Sequence, residues 1–140
     1  MIVYRVEHPI DDIGPYMTRG PLGSRSNEFR RFQSALAYWH TNGIIRPIPI
    51  DIWSPGELCG MSSIERLKEW FEGDFPDSLV EEFELELQNI WANLQKFGFF
   101  VRGREYIGNT WRLSRADKEQ ILVLKNRHNK IVFNEHTRGL

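Results

Sequence analysis

Apolar positions recur every three to four residues in three stretches of the chain and alternate with polar ones in four others. The best-marked helical stretch lies within Cys59-Gly60-Met61-Ser62-Ser63-Ile64-Glu65-Arg66-Leu67-Lys68-Glu69-Trp70-Phe71-Glu72-Gly73. Ile64, Leu67, Trp70 and Phe71 share one face, and Ser62 with Glu65 has capping-box spacing. Gly73 is placed as a left-handed stop, and Pro76 prevents resumption. Upstream, Phe29, Phe32, Leu36 and Trp39 predict a helix over Asn27 to His40, with Ser26 as its cap and Asn42-Gly43 as its end. Downstream, a third helix is predicted from Asp77 or Ser78 to Gly98, burying Phe83, Leu87, Ile90, Trp91, Leu94 and Phe97. Glu81, Glu82, Glu84 and Glu86 would sit near its N-terminus, where the helix dipole favours negative charge.

The alternating stretches read as strands. Ile2 to Glu7 sends Ile2, Tyr4 and Val6 one way and Val3, Arg5 and Glu7 the other. Phe99 to Ile107 puts Phe100, Arg102, Arg104 and Tyr106 on a common face. Gln120 to Lys125 and Lys130 to Glu135 are β-rich, and Asn126-Arg127-His128-Asn129 between them reads as a hairpin loop. The expected fold is α+β: three helices packed on one face of a mostly antiparallel sheet, as a single domain over residues 1–140. Two stretches have no period. Residues 10–26 carry turn chemistry in Gly14-Pro15-Tyr16 and Arg19-Gly20-Pro21-Leu22-Gly23, and their glycines would let backbone N–H groups approach a phosphate. Arg46-Pro47-Ile48-Pro49-Ile50 suggests an extended edge segment, and Trp53 to Leu58 reads as a turn.

No run of about 18 apolar residues is present, which argues against a membrane span. The first residues are too short and too charged a run for a signal peptide, and a single cysteine suggests a reducing, cytoplasmic setting. The net charge of −1 hides an uneven distribution. Residues 57–97 hold ten acids against three bases, whereas residues 98–140 hold nine bases against four acids. An anion site is therefore sought in the basic part.

The chemistry narrows quickly. His8, His40, His128 and His136 show no paired metal-ligand spacing, and Cys59 has no cysteine partner, so a metal site is not expected. Cys59 ahead of a helix could have a lowered pKa, but it equally reads as a small buried apolar group. The most suggestive set is the Phe100, Arg102, Arg104, Tyr106 face, followed by Trp111 and Arg112. Guanidinium groups bind phosphate as forks, and aromatic rings stack on bases. Arg102 and Arg104 side by side repel unless an anion lies between them. Acids of the third helix or a ligand phosphate would both serve.

The order Tyr4-Arg5, Gly14-Pro15-Tyr16, a proline-rich segment, Cys59-Gly60-Met61-Ser62-Ser63, Leu67, Trp70-Phe71 and Gln120-Ile121-Leu122 resembles small uncharacterised proteins of phages and bacterial genomes. Arg5 on an opening strand and Glu119-Gln120-Ile121-Leu122-Val123 near the end also resemble ADP-ribosyltransferases, with Gln120 near where their acid is expected. That second likeness implies NAD as cofactor, Arg5 as its anchor and Glu119 as the catalytic acid. Three functional readings result. The first is a nucleotide-binding protein, with Arg5, Arg102, Arg104 and Arg112 on phosphates and Tyr106 or Trp111 on a base. It needs no cofactor, and the phage likeness implies sequestration of a nucleotide signal in host defence. The second is a transferase acting on NAD. The third is an inhibitor that presents its acidic helix, residues 79–97, to a host protein.

Overall fold

The computed structural model describes residues 1–9, 14–16, 26–41, 56–115, 118–124 and 129–136. The residues 46–50 predicted as an edge segment and most of the 10–26 loop lie outside these. The elements run β1 (Ile2–Glu7), α1 (Asn27–Thr41), β2 (Glu57–Met61), α2 (Ile64–Phe71), α3 (Asp77–Glu82), α4 (Ile90–Lys96), β3 (Phe100–Glu105), β4 (Trp111–Leu113), β5 (Gln120–Leu124) and β6 (Lys130–His136). The architecture is α+β, and the described strands form one antiparallel six-stranded sheet in the order β4-β5-β2-β1-β3-β6. None of the described helices is long and apolar enough to cross a membrane.

Strand alternation gives the sheet two different faces. Tyr4, Val6, Met61 and Val101 join the helices in the main core, with Phe29, Phe32 and Leu36 of α1, Leu67, Trp70 and Phe71 of α2, and Ile90, Trp91 and Leu94 of α4. Burying one such side chain contributes about 1.5–3 kcal/mol, so this face carries most of the fold's stability. The opposite face holds a smaller cluster of Val3, Tyr106, Ile121 and Val123 beside the charged residues of β1 and β3.

Four described helices replace the three expected, because the stretch 77–98 is broken. The α3 helix closes in a Schellman motif: Leu85 N–H donates to Val80 O at 2.9 Å and Glu84 N–H to Glu81 O at 3.3 Å. That closure puts Glu84 at φ 54°, a left-handed conformation that glycine adopts without strain. The chain restarts at Asn89, whose side chain accepts from Ala92 N–H at 2.8 Å, and leaves Leu87 exposed. The α4 helix ends by the same motif, this time with Gly98 in the left-handed position. The acidic run is therefore not at a helix start. Glu81 and Glu82 fall in the last turn of α3, and the dipole does not explain them. Glu86 instead pairs with Lys96, which also holds Glu28 of α1; these bonds lower the Glu86 carboxyl and raise the Lys96 amine from their ordinary values.

Three further expectations need correction. The α2 cap is Ser63, whose hydroxyl accepts from Arg66 N–H at 3.1 Å; Ser62 stands one residue outside. Glu57 to Met61 is a strand, so Glu57, Leu58 and Cys59 belong neither to a turn nor to a helix start. Strands β5 and β6 do not form a hairpin. The first pairs with β2 and β4, the second with β3, near opposite edges of the sheet. Local turn chemistry can suggest a hairpin, but strand placement follows which faces need burying.

Candidate functional site

The site begins where the sheet comes apart. The β1 strand pairs with β3 along all six residues, from Ile2 opposite Glu105 to Glu7 opposite Phe100. Its pairing with β2 is confined to Tyr4 opposite Met61. Gly60 permits the close approach at that point: a Cβ there would lie 2.4 Å from Val3 Cγ1 and 2.9 Å from Arg5 Cγ. The Arg5 side chain then runs along the junction. Its Nη1 donates to the Cys59 carbonyl, standing in for a ladder bond, and its Nε donates to Glu7 Oε1 at 3.3 Å.

Glu7 holds more than Arg5. It is almost fully buried and lies on the same face as Arg5, Arg102 and Arg104, because directly opposed residues in an antiparallel pair share a face. Arg102 Nη1 donates to Glu7 Oε2 at 3.3 Å, and Arg104 donates to it from Nε at 3.2 Å and Nη2 at 3.3 Å. Asn134 accepts from Arg102 Nε at 3.1 Å, and Asn129 accepts from Arg104 Nη1 at 2.6 Å. The Arg102 guanidinium also lies over the Phe100 ring, 4.6 Å from its centroid. The anion between Arg102 and Arg104 is thus a carboxylate from β1, not one from the acidic helices.

This cluster fixes the position of Arg5. Its Nε faces Glu7 and its Nη1 faces Cys59, which leaves the Nη2 edge lying against Gly14, 3.5 Å from where a Cβ would stand. Among the described residues no group accepts from Nη2. Here Arg5, Gly14, Tyr16, Gln120 and the apolar side chains of Val6, Met61, Leu67, Trp70 and Phe71 line a cavity of about 50 Å³. A water-sized sphere takes about 10–15 Å³ of such a space, so about three to five heavy atoms fit. That is the size of a carboxylate or phosphate head group. Tyr16 is held at the wall by Trp70 Nε1, which donates to its hydroxyl at 2.8 Å, and by a hydrogen bond to His40 Nδ1.

Neither the family models, nor the curated proteins, nor the solved structures contain a match to this chain.

The predicted site residues therefore separate by geometry alone. Arg5, Arg102 and Arg104 come together around Glu7, and Tyr106 packs beside them with Val3. Trp111 is on the same face but three strands from β1, roughly 14 Å at ordinary strand spacing. Arg112 points to the other face, where its Nε donates to Glu57 at 3.0 Å. Glu119 is exposed, bonded to Arg66 of α2, and outside the lining of the cavity. Burial pushes the Cys59 thiol up, with the Arg5 charge pulling it down more weakly, which is the reverse of an activated nucleophile. No cluster of three metal-ligating side chains occurs among the described residues. Two residues were missed: Glu7, whose signal was its place two residues from Arg5 on one strand face, and Gln120, the lone polar residue opening an apolar strand.

Proposed function

We propose that this protein binds a small molecule by an anionic group, received by Arg5 at the cavity between β1, β2 and α2. The observation that supports it is the disposition of one guanidinium. Arg5 is buried, two of its nitrogens are held by Glu7 and Cys59, the third lies beside Gly14, and both residues line the cavity. A donor edge fixed in advance costs little ordering entropy when a ligand arrives. In this arrangement Arg102 and Arg104 are not ligand contacts. They hold the carboxylate that orients Arg5.

Phosphate-bearing molecules, nucleotides among them, are the ligand class that the basic C-terminal part suggests. A phosphate would occupy the cavity and the remainder of a nucleotide would lie outside it. The phage likeness would make such binding a means of sequestering a nucleotide signal in the cytoplasm. A thermal-shift panel of inorganic phosphate, NAD, ADP-ribose and cyclic nucleotides tests the reading. A ligand at a hundredfold excess over Kd stabilises the native state by about 2.7 kcal/mol. At least one member is expected to raise Tm with a saturable dose response. A flat response to every member at millimolar concentration would count against the proposal.

A further inference from the structure

The cavity holds a second polar feature that an anion alone does not use. Gln120 is only 2% exposed, and among the described residues its Oε1 has no hydrogen-bond partner. It lines the cavity because β5 pairs with β2 in a register that sets Gln120 opposite Met61, on the face toward α2. A buried acceptor left unsatisfied is costly, about 1–3 kcal/mol for groups of this kind. Glutamine amide oxygens accept and do not donate, so what completes the Gln120 oxygen is an N–H or O–H group.

We propose that Gln120 is a specificity-determining residue of this cavity, reading a hydrogen-bond donor carried on or beside the ligand's anionic group. The inference rests on the Arg5 reading given above and narrows it. The two ends of the site demand opposite things: Arg5 takes an acceptor, and Gln120 takes a donor. With room for about three to five heavy atoms, both must belong to one compact group. Hydrogen phosphate satisfies them together, through P–O⁻ and P–OH. A 2-hydroxycarboxylate does so through its carboxylate and hydroxyl. Sulfate and simple carboxylates satisfy Arg5 and leave the Gln120 oxygen unmet. Sites that hydrogen-bond a ligand hydroxyl discriminate strongly against analogues without it, because the buried partner is then left unpaired.

Matched probe pairs test this on the intact protein: inorganic phosphate against sulfate, and glycolate against acetate, each titrated at pH 7.5 and constant ionic strength. The expected result is at least tenfold tighter binding of the donor-bearing member of one pair. The pair that responds identifies the ligand source as phosphate or hydroxycarboxylate. In Gln120→Met, close in size and lacking the acceptor, the preference should fall to within about twofold while the weaker member still binds. Gln120→Leu gives a second variant if Met does not fold. Sulfate or acetate binding as tightly as its partner in the wild type would overturn the role of Gln120 and leave Arg5 as the anion receiver. No binding of any of the four probes would overturn both readings. A preference that survives in Gln120→Met would place the discriminating acceptor elsewhere and refute this assignment.

Discussion

Replacing Glu7 by Gln removes the charge at the centre of the arginine cluster and keeps the shape. Four nitrogen contacts converge on its carboxylate at 3.2–3.3 Å, from Arg5, Arg102 and Arg104. Those distances exceed the 2.7–2.9 Å of strong charged hydrogen bonds, so each contact is placed at the low end, about 1.5 kcal/mol. The contributions are not additive, and the amide retains one acceptor. It also turns an NH₂ donor toward three donors. The larger effect is electrostatic: three largely buried guanidinium groups lose the carboxylate between them. Breaking a buried pair in this way costs about 3–5 kcal/mol, and the long contacts favour the lower figure. Urea unfolding of Glu7→Gln should therefore show a loss near 3 kcal/mol with an unchanged m-value. Glu69→Gln, which removes an exposed partner of Arg66, is the control and should cost under about 1 kcal/mol. Adding Arg104→Met to Glu7→Gln should cost less than the sum of the two, because one uncompensated cation is removed. A loss below about 1 kcal/mol for Glu7→Gln would refute the view that this carboxylate organises the cluster.

Other consequences follow from the elements themselves. Glu84→Gly should stabilise the protein by about 0.5–1 kcal/mol, since relief of left-handed strain exceeds the entropy glycine adds to the unfolded chain; destabilisation in a thermal melt would contradict the Schellman closure of α3. Ser63→Ala should cost about 1 kcal/mol and Ser62→Ala almost nothing, and the reverse order would restore the earlier cap position. Cys59 should react with iodoacetamide near pH 8 more slowly than the same thiol in the urea-unfolded chain, because burial raises its pKa; faster reaction when folded would contradict that environment.

The parts of the fold that were legible in the sequence are those specified locally. The stripe of Phe29, Phe32, Leu36 and Trp39 predicts α1, and its Ser26 cap is found accepting from Phe29 N–H at 3.0 Å. Alternation puts Arg5 with Glu7 on one face of β1 and Arg102 with Arg104 on one face of β3; the pairing of the two strands then joins these faces. What escaped depends on distant partners. Apolar spacing runs through residues 83–90 as though one helix continued, but the break at Glu84 is a backbone event with no glycine to announce it. The short β2 and β4 strands carry little pattern of their own and are defined by pairing with β5. The role of Gln120 was obscured for the same reason: only the β2–β5 register brings it to the cavity that Arg5 borders.

The central claim is that the Nη2 edge of Arg5 receives an anion. Buried, hydrogen-bonded guanidinium groups exchange slowly enough for their nitrogen resonances to be followed individually by NMR, with an Arg5→Lys sample to assign the signal. During a phosphate titration at constant ionic strength, the Arg5 Nη resonances should move saturably, while those of Arg66 and Arg112, each held by a carboxylate outside the cavity, stay in place. Movement of Arg66 or Arg112 with Arg5 unchanged, or a linear drift of all arginines without saturation, would contradict the account.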